Sequence, residues 1–372
     1  MIARIISDTI RDRFFRGKAI ILLGPRQVGK TTLIQHLLQD KDHLFLNGDD
    51  PFVRATLGSA GTSQLQSIIG RYNIVYIDEA QRIPNIGLTL KLITDQFRHV
   101  QLLVSGSSAL EINDQTQEPL TGRKFEYQLY PISWEELEAH VGYMTAEQQL
   151  EERLIYGMYP DVINRRKDAV EVLKQLTSSY LYKDVLSMTG IKKPQVLEKL
   201  LTALALQMGS EVSFNELGRL LDIDKATVAR YIDLLEKAYI IFQLNSFSRN
   251  QHNEIKQNRK IYFYDNGIRN MIINNLNPPD LRTDKGALWE NFLVSERIKF
   301  KSYHRIHSNQ YFWRTVQQQE IDFVEESNGE INAFEFKWKS DGRVRIPKSF
   351  LDNYKAKGKV IDRSCFREFI MI

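Results

Sequence analysis

The chain has 372 residues, 42% of them hydrophobic and 26% charged, a balance that excludes wholesale disorder and, with that length, fits two or three domains. No apolar run approaches the roughly 18 residues a membrane span needs, and the single cysteine, Cys365, excludes an internal disulfide or a cysteine-built metal site. The net charge of +4 lies wholly in residues 206–372, because 1–205 balance to zero; within that half, 321–330 carry −4 and 331–372 carry +5. A basic half holding one acidic cluster points to an anionic partner and to a site for a cation. The first long apolar run, Ala19–Leu23, is too short for a signal peptide, so the chain reads as cytoplasmic and free of membrane.

Residues 18–135 alternate short apolar runs (19–23, 44–46, 74–77, 102–104 and 125–129) with helical patterns. This predicts an α/β fold with a parallel sheet flanked by helices. The first run leads into Gly24-Pro25-Arg26-Gln27-Val28-Gly29-Lys30-Thr31, followed by Thr32, which matches G-x-x-x-x-G-K-[ST] between a predicted strand and a predicted helix. Gly24 and Gly29 let the backbone curl so that its N–H groups face phosphate oxygens. Lys30 is expected to reach the β/γ-phosphates and Thr31 to ligate Mg²⁺.

The run Asn73-Ile74-Val75-Tyr76-Ile77 ends in Asp78-Glu79, where Asp78 is expected in the Mg²⁺ shell and Glu79 as the base for an attacking water. A third strand runs into Ser105-Gly106-Ser107-Ser108, and Ser107 is the candidate for sensing the γ-phosphate or positioning that water. Arg123 precedes the last strand of this region and is the candidate arginine finger across a subunit boundary, with Arg26 and Arg82 as competitors.

From 147 to about 207 leucines recur every three or four residues, a helical pattern. Ser213 then caps a short predicted helix, Asp222-Ile223-Asp224 turns, and a second helix follows, the spacing of a helix-turn-helix. Two apolar runs, 240–244 and 260–264, are expected as wing strands whose connection carries Arg249, Lys256, Arg259 and Lys260. Lys225, Thr227 and Arg230 of the second helix and Arg249, Lys256 and Arg259 of the wing are the candidate DNA contacts.

Beyond Asn277-Pro278-Pro279-Asp280, charged and apolar residues alternate in Glu320-Ile321-Asp322-Phe323 and in Phe334-Glu335-Phe336-Lys337. Period-two geometry puts each charged pair on one strand face, and a hairpin at Asn328-Gly329 would bring Asp322 near Glu335. With Glu290 from the preceding helix, Glu290, Asp322 and Glu335 are candidate Mg²⁺ ligands and Lys337 a candidate phosphate or nucleophile partner. The seven histidines lack zinc spacing, and Trp134, Trp289, Trp313 and Trp338 sit in apolar patterns that read as core.

Gly24–Thr31, Asp78-Glu79-Ala80-Gln81-Arg82-Ile83-Pro84, Ser105-Gly106-Ser107-Ser108, Leu120-Thr121-Gly122-Arg123 and Pro131-Ile132-Ser133-Trp134-Glu135-Glu136 together resemble the AAA+-type P-loop ATPases of bacteria and archaea that carry a fused C-terminal domain. The resemblance continues through Gly157-Met158-Tyr159-Pro160-Asp161, Tyr264-Asp265-Asn266-Gly267-Ile268-Arg269 and Gly286-Ala287-Leu288-Trp289-Glu290-Asn291. The pattern Asp322 and Glu335-x-Lys337 is similar to the PD-(D/E)xK nuclease superfamily. These resemblances imply an ATPase core over 1–140, a helical lid over 141–207, a winged helix over 208–265 and a small α/β nuclease-like domain over 266–372. They also imply ATP, and Mg²⁺ is the expected second cofactor; the basic residues of the helix-turn-helix and wing make DNA the expected partner, and Arg123 acting in trans would make the chain a homo-oligomer on ATP binding. The expected function is ATP hydrolysis coupled to nucleic-acid binding, with metal-dependent cleavage open. The alternative is a nucleotide-switched interaction module whose nuclease-like domain is inactive.

Overall fold

The computed structural model describes residues 1–106, 120–181, 194–248, 259–315, 317–339 and 346–371. The chain divides into two compact units. One is built mainly on Met1–Ile132, and the other on Ser133–Lys183, Ile191–Glu236 and Ile240–Ile372.

The first unit contains the expected parallel sheet. Its strands are β1 (Ala19–Leu23), β2 (Leu44–Asn47), β3 (Ile74–Asp78), β4 (Gln101–Gly106) and β5 (Lys124–Gln128), in the order β2-β3-β4-β1-β5. All neighbours run parallel. β1, β3 and β4 are buried at every position, which is why they read as unbroken apolar runs rather than alternating ones. Parallel strands bring the carboxyl ends of β1, β3 and β4 to one edge, where α/β sheets collect their ligands.

The second unit is organised around the 20-residue helix Lys285–His304 and a seven-stranded sheet. Its strands are β6 (Glu211–Val212), β7 (Ile241–Ser246), β8 (Arg259–Phe263), β9 (Asn309–Arg314), β10 (Glu320–Ser327), β11 (Glu330–Phe336) and β12 (Lys357–Ile361), in the order β12-β11-β10-β9-β7-β8-β6. The β10–β11 hairpin turns at Asn328-Gly329, whose φ values of 52° and 82° are those of a primed two-residue turn. Ile321, Val324, Ile331 and Ala333 of this hairpin pack with Phe247, Trp313 and Phe350 in one buried cluster.

The sheet does not stop at position 265. β7 pairs in parallel with β9, Asn245 opposite Tyr311 and Ser246 opposite Phe312, and the Phe247 N–H donates to the Phe312 carbonyl at 2.6 Å. This pairing covers an edge that β9 would otherwise leave open. The described helices of 141–181 and 194–207 also cluster with this second unit.

Several motifs outside the phosphate loop serve as joints in this unit. Asp265 accepts from Met158 N at 2.6 Å and Ile268 N at 3.1 Å, and burial pushes its carboxyl above the ordinary range. Gly157 adjoins it with φ +75°, and a Cβ there would lie 2.1 Å from Asp265 Oδ1, so only glycine fits. Asn291 donates to the Phe263 carbonyl at 3.0 Å and accepts from its N–H at 2.7 Å, completing backbone pairing from a helix. Trp134 and Trp289 are fully buried, as their patterns predict.

Candidate functional site

The loop leaving β1 has the expected cradle geometry. Gly24, Gln27 and Gly29 have φ of +153°, +59° and +93°, and the helix Lys30–Leu37 starts directly after Gly29. A Cβ on Gly24 would lie 2.1 Å from the Leu129 carbonyl oxygen, so the first glycine is required by a close backbone approach. Lys30 is buried, and its ammonium donates to the carbonyls of Gly24 (2.9 Å) and Pro25 (2.8 Å), spanning the loop. Thr32 is exposed on the outer side of the helix. Arg4, from the N-terminal segment, donates to the carbonyls of Val28 (2.7 Å) and Tyr130 (2.6 Å) and is itself buried. It fastens the loop from behind.

Asp78, at the end of β3, faces this loop. The Thr31 hydroxyl donates to Asp78 Oδ2 at 2.8 Å, the Glu79 N–H donates to Oδ1 at 3.1 Å, and the Ser105 hydroxyl at the tip of β4 also donates to Oδ1. Behind Ser105 stands the Tyr76 hydroxyl at 2.9 Å, its pKa driven well up by burial. Glu79 sits in the left-handed region, φ +48°, and its carboxylate accepts from Gln81 Nε2 at 2.5 Å. Gly48 touches the same strand end, and a Cβ there would lie 2.3 Å from the Glu79 carbonyl. This donor set fits a nucleoside triphosphate with its cation: inward-curling amides, a lysine for phosphate, and a hydroxyl plus carboxylate for a hard ion.

The candidate arginine lies elsewhere. Ala19 N donates to the Arg123 carbonyl at 2.9 Å, so Arg123 stands at the amino end of the strands while the loop leaves their carboxyl end. The separation along β1 is about 13 Å at the usual strand rise. Its guanidinium donates to Asp95 at 2.6 Å. Arg82 is 3.6 Å from Asp49. Ser107 lies outside the described residues.

In the second unit, Glu290, Asp322, Glu335 and Lys337 do come together, with three residues the sequence pattern did not assign to the cluster. Lys260, on β8, is 2% exposed and approaches Glu290 Oε1 at 3.2 Å and Glu320 Oε1 at 2.5 Å. The Tyr262 hydroxyl donates to the same Glu290 oxygen at 2.6 Å. Asp322 accepts from the Phe336 N–H at 2.8 Å, and Lys337 donates to Glu335 at 2.7 Å. Burial is the main cause pushing Glu290 up to about 7, and it also raises Asp322 and Glu335. Burial would lower Lys260, but the carboxylates of Glu290, Asp322 and Glu320 outweigh it and hold the amine charged. Among the described residues no group of three or more His, Cys, Asp or Glu side chains is placed to hold a metal ion. Glu290 is met by Lys260 and Tyr262, Asp322 by the Phe336 amide and Glu335 by Lys337.

The two helices Phe214–Leu221 and Lys225–Lys237 meet at Asp222, φ +54°, as the helix-turn-helix spacing predicts. Lys225 and Arg230 are exposed. Thr227 turns to Asp224, donating to it through N–H (2.9 Å) and hydroxyl (2.7 Å), and these bonds lower the Asp224 pKa. Arg259 donates to Gln243 at 3.0 Å and lies over the Phe214 ring at 5.2 Å. Arg249 and Lys256 lie outside the described residues.

Residues 16–138 match the family model of the AAA domain. That stretch is similar to the AAA domain and holds the loop, Asp78, Glu79 and Ser105, while Arg4 lies before it. Residues 147–279 and 285–367 match two domains of unknown function, DUF8612 and DUF4143. The chain is similar to an uncharacterized protein of Mycobacterium tuberculosis, 26% identical over 88% of this chain and 72% of that one. It is also similar to an uncharacterized protein of Methanocaldococcus jannaschii, 22% identical over 87% of this chain and 75% of that one. Among solved structures, a Walker-type ATPase of Pyrococcus abyssi is similar with a TM-score of 0.48 and 16% identity, covering 74% of this chain and 96% of that one. A STAND-type signal transduction ATPase of Pyrococcus horikoshii is similar with a TM-score of 0.30 and 12% identity, covering 83% of this chain and 48% of that one.

Around the loop site, sequence reasoning missed Arg4, Ser105, Tyr76 and Gln81. Ser105 and Gln81 had a local signal, since both flank the strand ends that carry the motifs. Arg4 had none: its partners Val28 and Tyr130 are 24 and 126 residues away.

Proposed function

We propose that this protein is a Mg²⁺-dependent ATPase whose nucleotide state governs nucleic-acid binding by its second half. The observation that carries the first part is the Thr31–Asp78 contact beside Lys30: the two side chains suited to the cation touch, next to the one suited to phosphate. Bound ATP·Mg²⁺ supplies the phosphoryl group and the charge that the loop neutralises. Lys30 would exchange its loop carbonyls for phosphate oxygens, Thr31 and Asp78 would hold the cation, and Glu79, released by Gln81, would take the proton of the water whose attack on the γ-phosphorus breaks its bond to ADP.

Arg123, directed away from its own loop, serves the nucleotide of a neighbouring copy once freed from Asp95, which makes ATP-linked homo-oligomers part of the reading. The exposed Lys225 and Arg230 on the second helix of the helix-turn-helix support DNA as the ligand of a winged-helix element. Among the described residues no helix is long and apolar enough to cross a membrane.

The test is ATP turnover by the full chain with and without duplex DNA. Stimulation by DNA that disappears in Lys30→Ala supports the reading, and wild-type protein that retains no labelled ATP with Mg²⁺ overturns it.

A second reading, a nucleotide-switched interaction module with an inactive nuclease-like domain, is favoured by one observation. Asp322 lies on β10 and Glu335 on β11 with Lys337 just past its end, yet the carboxylates around them are paired internally. DNA-independent turnover, with no nicking of DNA or RNA in Mg²⁺, is the outcome this reading requires.

A further inference from the structure

Lys260 is a single ammonium reaching into a group of carboxylates drawn from three elements. Glu290 comes from the helix Lys285–His304, Glu320 and Asp322 from β10, and Glu335 from β11. The amine meets Glu290 and Glu320 directly, at 3.2 and 2.5 Å, and lies 5.4 Å from the Phe312 ring centre. Tyr262, two residues on and therefore on the same face of β8, donates to the Glu290 oxygen that Lys260 also meets. Joining carboxylates of separate elements at one point is the task a divalent ion performs in a metal site. Here a covalently tethered cation performs it, and tethering gives that amine an effective concentration no free ion in solution matches.

We propose that Lys260 is the resident cation of this cluster, standing where a divalent ion would otherwise bind, so that the native protein takes up no divalent metal there. The wing-strand lysine thereby locks β8 to the long helix and to β10. The inference is independent of the nucleotide site. Glu335 keeps Lys337 and Glu320 keeps Arg314 at 4.0 Å, but removing the Lys260 amine leaves the buried Glu290 without its cation, a state that either destabilises the fold or recruits a cation from solution.

The experiment is Mn²⁺ binding to nucleotide-free full-length protein, followed by electron paramagnetic resonance and by the Mn²⁺-dependent shift in melting temperature. Wild type and Lys260→Arg should bind no Mn²⁺ that Glu290→Gln removes. Lys260→Met should bind one further Mn²⁺ per chain and gain a Mn²⁺-dependent rise in melting temperature, both lost in the Lys260→Met/Glu290→Gln double variant. Binding at Thr31 and Asp78 is common to all the proteins and cancels in these differences. Mn²⁺ bound by wild type and lost on Glu290→Gln overturns the proposal, as does a folded Lys260→Met that gains no ion. Should Lys260→Met fail to fold even with Mn²⁺ present, Lys260→Gln is put through the same comparison. The wild-type arm decides in either event.

Discussion

The Thr31 hydroxyl and the Asp78 carboxylate are 47 residues apart in the chain and 2.8 Å apart in space. The sheet order explains this: β4 separates β1 from β3, and all three end at one edge. Asp78 receives three donors, from Thr31, Ser105 and the Glu79 amide, and is thereby held in one orientation. A carboxylate so held is prepared for a hard ion before the ion arrives.

Thr31→Ala and Ser105→Ala should therefore both weaken the response to Mg²⁺. On the proposed reading Thr31→Ala removes a ligand, whereas Ser105→Ala removes only a support of Asp78. In ATP titrations at varied Mg²⁺, an apparent cation affinity lower by about 10–100-fold is expected for Ser105→Ala and a larger loss for Thr31→Ala. Unchanged Mg²⁺ dependence in both would contradict the assignment.

Glu79→Gln should separate binding from turnover. The amide keeps the shape and a hydrogen-bonding partner for Gln81 but cannot take a proton. Labelled ATP should be retained at near wild-type affinity while the steady-state rate drops by about 10²–10⁴-fold. Full turnover in Glu79→Gln would move the base to another residue.

Arg4→Met should loosen the phosphate loop without touching nucleotide. The carbonyls of Val28 and Tyr130 lose their guanidinium donors, and a buried acceptor left unsatisfied costs about 1–3 kcal/mol. Denaturant unfolding should show lower stability, and ATP affinity should fall with it. Arg4→Lys, which cannot fork to two carbonyls, should recover only part.

The carboxylate cluster gives the second half a pH dependence of stability. Burial raises Glu290 to about 7, above its unfolded value, with Lys260 opposing and Asp322 adding to the rise. Its protonated form is thus favoured by folding. The associated stability is complete below the unfolded pKa, near 4.5, and is lost as pH rises through about 7. Burial moves Asp322 and Glu335 in the same direction. The melting temperature of wild type should decline between pH 5 and about pH 8, and Glu290→Gln should flatten the decline. A slope unaltered in that variant would assign the dependence elsewhere.

What the sequence made legible was local. The loop at Gly24–Thr31 could be read because its glycines, lysine and threonine act within one strand–loop–helix unit. The Asp78-Glu79 pair could be read because it ends a run apolar enough to be a buried strand. The β10–β11 hairpin was legible from alternation and Asn328-Gly329. Contacts between distant segments were not. Lys260 reads in sequence as one more base in a wing, and only the placement of β8 beside the long helix turns it toward Glu290. The β7–β9 pairing joins Asn245 to Tyr311 across 66 residues, and no local pattern encodes such a match. Gly157 and Asp265 had a motif each, but that one fills the space beside the other follows from tertiary packing alone.

The parallel β7–β9 ladder also bears on how the chain can be dissected. A fragment ending after β8 would carry β7 with one side of its backbone unclothed, and the complementary fragment would begin with β9 in the same condition. Each raw margin is a template for self-association, so the two pieces should precipitate when produced apart and recover solubility when produced together. For experimental purposes, the second half is a single indivisible module.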